Sequence, residues 1–199
     1  MSFIDYLNEA KTPKKYQPKD HWELRDLVCD KSVYLGDIDT SKMTDMSGGS
    51  IGSIFANCKR KDWSGIETWD VSNVINMAWL FCEIDFNGDI SKWDVSKVEN
   101  MSHMFYESKF NGNISKWNVS KVKNMEFMFA RSPFNKDISK WNVSKVENMS
   151  GMFRSSDFNR NISKWDVSKV KYVTWMIDRC PIKPEYLPDA FKTTLHIDD

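Results

Sequence analysis

Long apolar runs are missing from this chain of 199 residues. No stretch approaches the ~18 consecutive apolar residues that a membrane-crossing helix needs, so membrane insertion is not expected. The opening segment, Met1-Ser-Phe-Ile-Asp-Tyr-Leu-Asn-Glu-Ala10, carries charges where a signal peptide needs an unbroken apolar core. On that footing the chain reads as cytoplasmic, with the cell surface as the alternative if it is a fragment of a larger protein. Net charge is missing too. Lys+Arg and Asp+Glu are both 28, so the basic surplus that nucleic-acid binding normally needs is absent and no nucleic-acid partner is expected. Cysteine is scarce. Cys29, Cys58, Cys82 and Cys180 form no C-x-x-C pair, which argues against zinc. They are too sparse for a disulfide framework, so buried thiols are expected. His21, His103 and His196 are scattered, and none of G-x-G-x-x-G, G-x-x-x-x-G-K-[ST] or G-x-S-x-G occurs. The reading is therefore no enzyme, no catalytic residue, no cofactor and no metal.

What is present is repetition. Four units of 24 residues align without gaps over residues 86–109, 110–133, 134–157 and 158 to about 181. A fifth covers residues 62–85, and a degenerate first unit runs from about Leu35 to Arg60. The register produces columns: Trp69, Trp93, Trp117, Trp141, Trp165; the isoleucines from Ile66 to Ile162; the valines from Val74 to Val170; and two phenylalanine columns, starting at Phe81 and Phe86. One unit alone cannot hide so many large side chains, but stacked units can. Each buried aromatic or aliphatic side chain then contributes roughly 1.5–3 kcal/mol.

Within a unit the apolar residues recur every third position, as in Val95, Val98, Met101 and Met104. That is not the alternation of a long strand. It suggests a short parallel strand near residues 97–100, followed by a helical or 3-10 turn over 102–106. Asn100, Asn124 and Asn148 are expected to form a ladder at the bend. Asp94, Asn118, Asn142 and Asp166, each two residues before a serine, read as Asx-turn formers. The segment Gly48-Gly-Ser-Ile-Gly52 interrupts the first unit and is expected to be a mobile loop. Residues 2–10 and 20–29 read as helices, the second with Asp20 as N-cap. Pro181, Pro184 and Pro188 end the repeat. The expected fold is a repeat solenoid of leucine-rich-repeat-like parallel coils, with short strands and helical turns. It divides into a helical N-terminal cap (1–34), a solenoid of about six coils (35–180) and a C-terminal cap (181–199).

The patterns W-[DN]-V-S-x-V-x-N-M-x-x-M-F and F-N-x-x-I-S resemble those of the BspA-like leucine-rich-repeat family of bacterial surface proteins and lipoproteins. The resemblance covers about Leu35 to Asp178. It implies a leucine-rich-repeat solenoid with adhesion or protein-binding roles, and no common catalytic residues to carry over. The chain departs from the surface-anchored members in having no signal peptide or lipobox at its start.

Two features are candidates for partner binding. The position before the second methionine of each unit holds Trp79, His103, Phe127, Gly151 and Trp175. A freely varying position between fixed ones suggests a surface, and a row of exposed aromatics would suit a protein partner. The plainer reading is that these rings lie sideways and cover the methionines. Lys97, Lys121, Lys145 and Lys169 form a column, as do Lys92, Lys116, Lys140 and Lys164. Glu99, Lys123, Glu147 and Lys171 beside the first column suit cross-unit ion pairs. The stripe is either a face for an acidic partner or a solvated surface. The functional expectation is a protein-binding scaffold, acting as an intracellular or phage-like effector or inhibitor of a host protein. The alternatives are a fragment of a surface adhesin or lipoprotein and, last, an enzyme.

Overall fold

The computed structural model describes residues 14–48, 54–55 and 58–195. The expected helix over residues 2–10, His196 and all but the first residue of the Gly48–Gly52 insert lie outside the described residues.

Near the N-terminus, α1 (His21–Cys29) begins where the Asp20 carboxylate accepts hydrogen bonds from the amides of Trp22 and Glu23, both at 2.9 Å. These are first-turn donors with no partner inside the helix. Leu24 and Val28 form its buried face. Beyond its C-terminal end, the buried Arg60 donates from Nε to the Val28 carbonyl (2.7 Å) and from Nη2 to those of Asp30 (2.6 Å) and Val33 (2.8 Å). A cation thus satisfies the helix-end carbonyls, where the helix dipole favours positive charge. Cys29, the last residue of α1, is disulfide-bonded to Cys58. That corrects the expectation of four free thiols. Cys82 is free and buried, and burial pushes its thiol up to about 12. Cys180 is free and half-buried.

The repeats stack one on another. Each tryptophan of the column donates its indole N–H to a carbonyl in the preceding unit: Trp93 to Ile66 (3.1 Å), Trp117 to Ile90 (3.1 Å), Trp141 to Ile114 and Trp165 to Ile138 (both 3.2 Å). Trp93, Trp117 and Trp141 are each only 4% exposed. The phenylalanines stack in two files, with centroids 5.6–6.0 Å apart along Phe81, Phe105, Phe129 and Phe153. Asn87, Asn111 and Asn135 each accept the amide of the residue 24 positions later, at 3.0–3.1 Å. Asn100, Asn124 and Asn148 follow one another through parallel bridges, and each Oδ1 accepts the backbone amide two residues ahead at the bend, as expected of that ladder.

The strand-based solenoid does not form. Among the described residues there is no extended strand and no sheet. Bridge pairing between units, among the described residues, consists of single parallel bridges: Asp45 to Asn76, Asn76 to Asn100, Asn100 to Asn124, Asn124 to Asn148 and Asn148 to Tyr172. Helical structure among the described residues comprises α1, α2 (Asp189–Thr194) and 3-10 turns at Leu35–Asp37, Ile66–Thr68 and Pro184–Tyr186. The reason lies in residues 101–108. The amides of Met104, Tyr106 and Ser108 bond back three residues within the unit. Those of Met101, His103, Phe105 and Glu107 donate to Asn124, Glu126, Met128 and Ala130 in the next. Ser102 is satisfied by Asn100 Oδ1. Every amide in the segment is therefore accounted for. Half of them close turns, which leaves no extended backbone for a strand or i→i+4 bonds for a helix. The segment is a run of overlapping turns, and its alternate amides tie one unit to the next.

Left-handed residues shape that run. His103 (φ 56) and Glu107 (φ 52) are the third residues of turns, and the same two columns are left-handed in the neighbouring units. A positive φ at that place is the signature of a type II turn. The C-terminal segment covers part of the last unit. The Ile162 amide donates to the Tyr186 carbonyl (2.8 Å), and Leu187 and Phe191 join the core.

Candidate functional site

The variable column lies on the turn runs. Trp79, His103 and Phe127 are half-buried and form a continuous row. The Trp79 and His103 rings stack at 3.8 Å with 7° between planes, and His103 meets Phe127 at 5.1 Å. Tyr106 flanks the row at 5.7 Å from His103 and 6.4 Å from Phe127, under the Arg131 guanidinium. Gly151 interrupts the column, and Trp175 beyond it is 57% exposed, with the Arg154 guanidinium 5.2 Å from its ring centre.

These positions are not free of folding constraint, as their variability suggested. All five members of the column are left-handed, with φ from 49 to 65. Such a backbone costs a non-glycine residue about 1–2 kcal/mol, and the ring stacking offsets part of it. The rings therefore order the surface as well as present it. Burial pushes His103 down to about 4, so the ring is neutral at pH 7. Its Nδ1 has no hydrogen-bond partner among the described residues.

The lysine column occupies a different part of each unit, ahead of the bridging asparagines. Lys97, Lys121, Lys145 and Lys169 are all exposed. Lys97 donates to Asn73 Oδ1 at 2.6 Å. Beside the column, Lys123 pairs with Glu99 and Lys171 with Glu147, both at 2.7 Å. The hydrogen bond and charge of Lys123 hold the Glu99 carboxyl below its ordinary value, and Lys171 does the same for Glu147. The structure thus brings three of the four aromatics together and leaves Trp175 apart. It does not merge the aromatics with the lysines.

Sequence reasoning missed Tyr172, which is 60% exposed. It stands where the preceding units carry Asn76, Asn100, Asn124 and Asn148, a substitution visible in the sequence. Among the described residues no helix is long and apolar enough to cross a membrane.

No curated protein and no solved structure matches the chain. A family described as Mycoplasma protein of unknown function, DUF285, matches it twice, over residues 49–133 and 109–183. The two matches overlap and together span most of the repeat array. With more than half of its residues matched, the chain belongs to the DUF285 family, a Mycoplasma repeat family related to the BspA-like surface proteins.

Proposed function

We propose that this protein is a non-enzymatic scaffold that binds a protein partner through the row Trp79–His103–Phe127. The observation that carries the reading is the unbroken ring contact along the row, at 3.8 and 5.1 Å, on backbone locked by inter-unit hydrogen bonds. Large aromatic side chains dominate hot spots at interfaces, and a surface ordered before binding loses less entropy on association. The exposed lysine column beside the turn runs would speed the approach of an acidic partner and suppress unlike ones.

Two settings remain, an intracellular effector or inhibitor and a cell-surface binding protein. The Cys29–Cys58 bond favours the second, because disulfides persist in oxidising surroundings and are rare in the cytosol.

The test is affinity purification from native cells, using the parent chain and a Trp79→Gly, Phe127→Gly double variant, with mass spectrometry of what each retains. Glycine suits this column, since Gly151 already occupies it with φ 62. A protein held by the parent and lost by the variant is the expected outcome. If the variant, shown to be folded by near-ultraviolet circular dichroism, retains everything the parent does, the row is not the interface.

A further inference from the structure

The stack of turn runs has an open C-terminal edge. In each preceding unit the alternate amides are taken up by the next: Met149 donates to Tyr172, Gly151 to Thr174, Phe153 to Met176 and Ser155 to Asp178, at 2.8–2.9 Å. In the last run the equivalent amides belong to Val173, Trp175, Ile177 and Arg179. None of them has an acceptor among the described residues, while the intervening amides of Met176, Asp178 and Cys180 close turns as elsewhere. Among the described residues the C-terminal segment bonds to the unit at Ile162 and gives these four amides no acceptor.

From Val173 to Arg179 the groups left over are donors: the carbonyls of Tyr172, Thr174, Met176 and Asp178 accept amides of the preceding run, and those of Val173, Trp175 and Ile177 close turns within it. Just ahead of them the Lys171 carbonyl stands where Glu147 accepts two amides of the next unit, and it has no donor among the described residues. Backbone amides lined up by turns with left-handed residues, here Trp175 (φ 57) and Arg179 (φ 56), make surfaces that bind anions. Of the neighbouring carboxylates, Asp166 lies within the influence of Lys169 and accepts the Ser168 amide. The carboxylate of Asp178 is paired with Arg154 and that of Glu147 with Lys171. Lys169 and Arg179 stand exposed with no ion pair among the described residues. Tyr172 and Trp175 add exposed apolar surface at the same place.

We propose that this edge, from Val173 to Arg179, docks an acidic peptide segment of a protein partner. Carbonyls of the segment take the four free amides, its carboxylates meet Lys169 and Arg179, and its apolar side chains lie on Tyr172 and Trp175. This is strand addition carried out on a run of turns rather than on a sheet. It rests on the reading of the chain as a binding scaffold but uses a surface separate from the Trp79–Phe127 row.

The experiment titrates the 15N-labelled chain with an acetylated, amidated twelve-residue peptide of alternating glutamate and valine. A lysine–valine peptide and sodium acetate serve as controls. The amides of Val173, Trp175, Ile177 and Arg179 should shift and gain protection from exchange, with those of Met176 and Asp178 unmoved. Arg179→Glu should weaken binding about tenfold or more. That variant will fold, because the same column holds Glu83 and Glu107 with φ 56 and 52. The Trp79→Gly, Phe127→Gly variant should bind the peptide as the parent does, which keeps the two surfaces separable. Four outcomes would each overturn the proposal: no shift at millimolar peptide, an equal response to acetate or to the lysine peptide, shifts confined to the lysine column, or undiminished binding by Arg179→Glu.

Discussion

The ring of Phe127 fills the space that a side chain at residue 151 would need, so that a β-carbon on Gly151 would fall on the ring itself. The left-handed backbone does not explain the glycine. Trp79, His103, Phe127 and Trp175 adopt the same conformation at the same place in their units. What Gly151 supplies is room, and it ends the aromatic row by letting the last ring lie down over the next unit. Gly151→Ala should therefore cost about 1–3 kcal/mol, from backbone strain and a displaced ring together. In a Phe127→Gly background the cost should fall to the strain alone. Denaturant melts of the four chains in this cycle measure the difference, and a coupling near zero would show that the contact is unimportant.

The tryptophan column offers two separable losses. Trp117→Ala removes a buried ring and should cost roughly 3–5 kcal/mol. Trp117→Phe keeps most of the apolar surface but leaves the Ile90 carbonyl without its indole donor. An unsatisfied buried carbonyl costs about 1–3 kcal/mol, so the phenylalanine variant should fall between the parent and the alanine variant. A loss below about 1 kcal/mol for Trp117→Ala in denaturant melts would contradict the burial of the column.

The register of this fold could be read from the sequence because a 24-residue period places like residues in contact. Trp69 stacks on Trp93 with 8° between their planes, and Phe129 on Phe153 with 3°. The conformation inside a unit could not be read in the same way. Apolar residues at every third position fit a 3-10 turn, a bend after a strand or overlapping turns equally well. The usual mark of a left-handed turn residue, glycine or asparagine, is replaced here by Trp, His, Phe, Glu, Arg and Ser. Only Gly151 carries that mark, and one glycine among five aligned residues reads as variability rather than geometry. The disulfide was hidden for another reason. Cys29 lies in α1 and Cys58 in the irregular first unit, so no repeat spacing relates them. The open edge was partly legible, since Tyr172 breaks a column of asparagines.

Acid should weaken the protein through His103 before it does so through any carboxylate in an Asx turn. The folded ring titrates at about 4, below its ordinary 6.5. Between those values the unfolded chain binds the proton and the folded one does not, so stability falls as the pH is lowered from 6.5 to about 4 and no further below. The lowered carboxyls of Asp94, Asp137 and Asp166 contribute only below 3.8. His103→Phe, a residue the column already accepts at Phe127, should flatten the melting temperature over pH 4–6.5. An unchanged slope in the variant would place the acid sensitivity elsewhere.

The Cys29–Cys58 bond closes a loop of 29 residues and ties the end of α1 to the first unit. Arg60 binds the carbonyls of Val28, Asp30 and Val33 from the same unit, so the cap is held covalently and through hydrogen bonds at one point. Because the Arg60 bonds do not involve either cysteine, reduction should loosen the junction without detaching the helix. For a loop of this length the crosslink is worth about 2–4 kcal/mol, mostly by restricting the unfolded chain. Reductant should lower the denaturation midpoint by a matching amount, and Cys29→Ser with Cys58→Ser should show that lower midpoint with or without reductant. Alkylation of the denatured, unreduced protein, followed by mass spectrometry, should modify Cys82 and Cys180 alone. Modification of all four cysteines under those conditions would mean that the bond is absent, and the preference for an oxidising cell-surface setting would go with it.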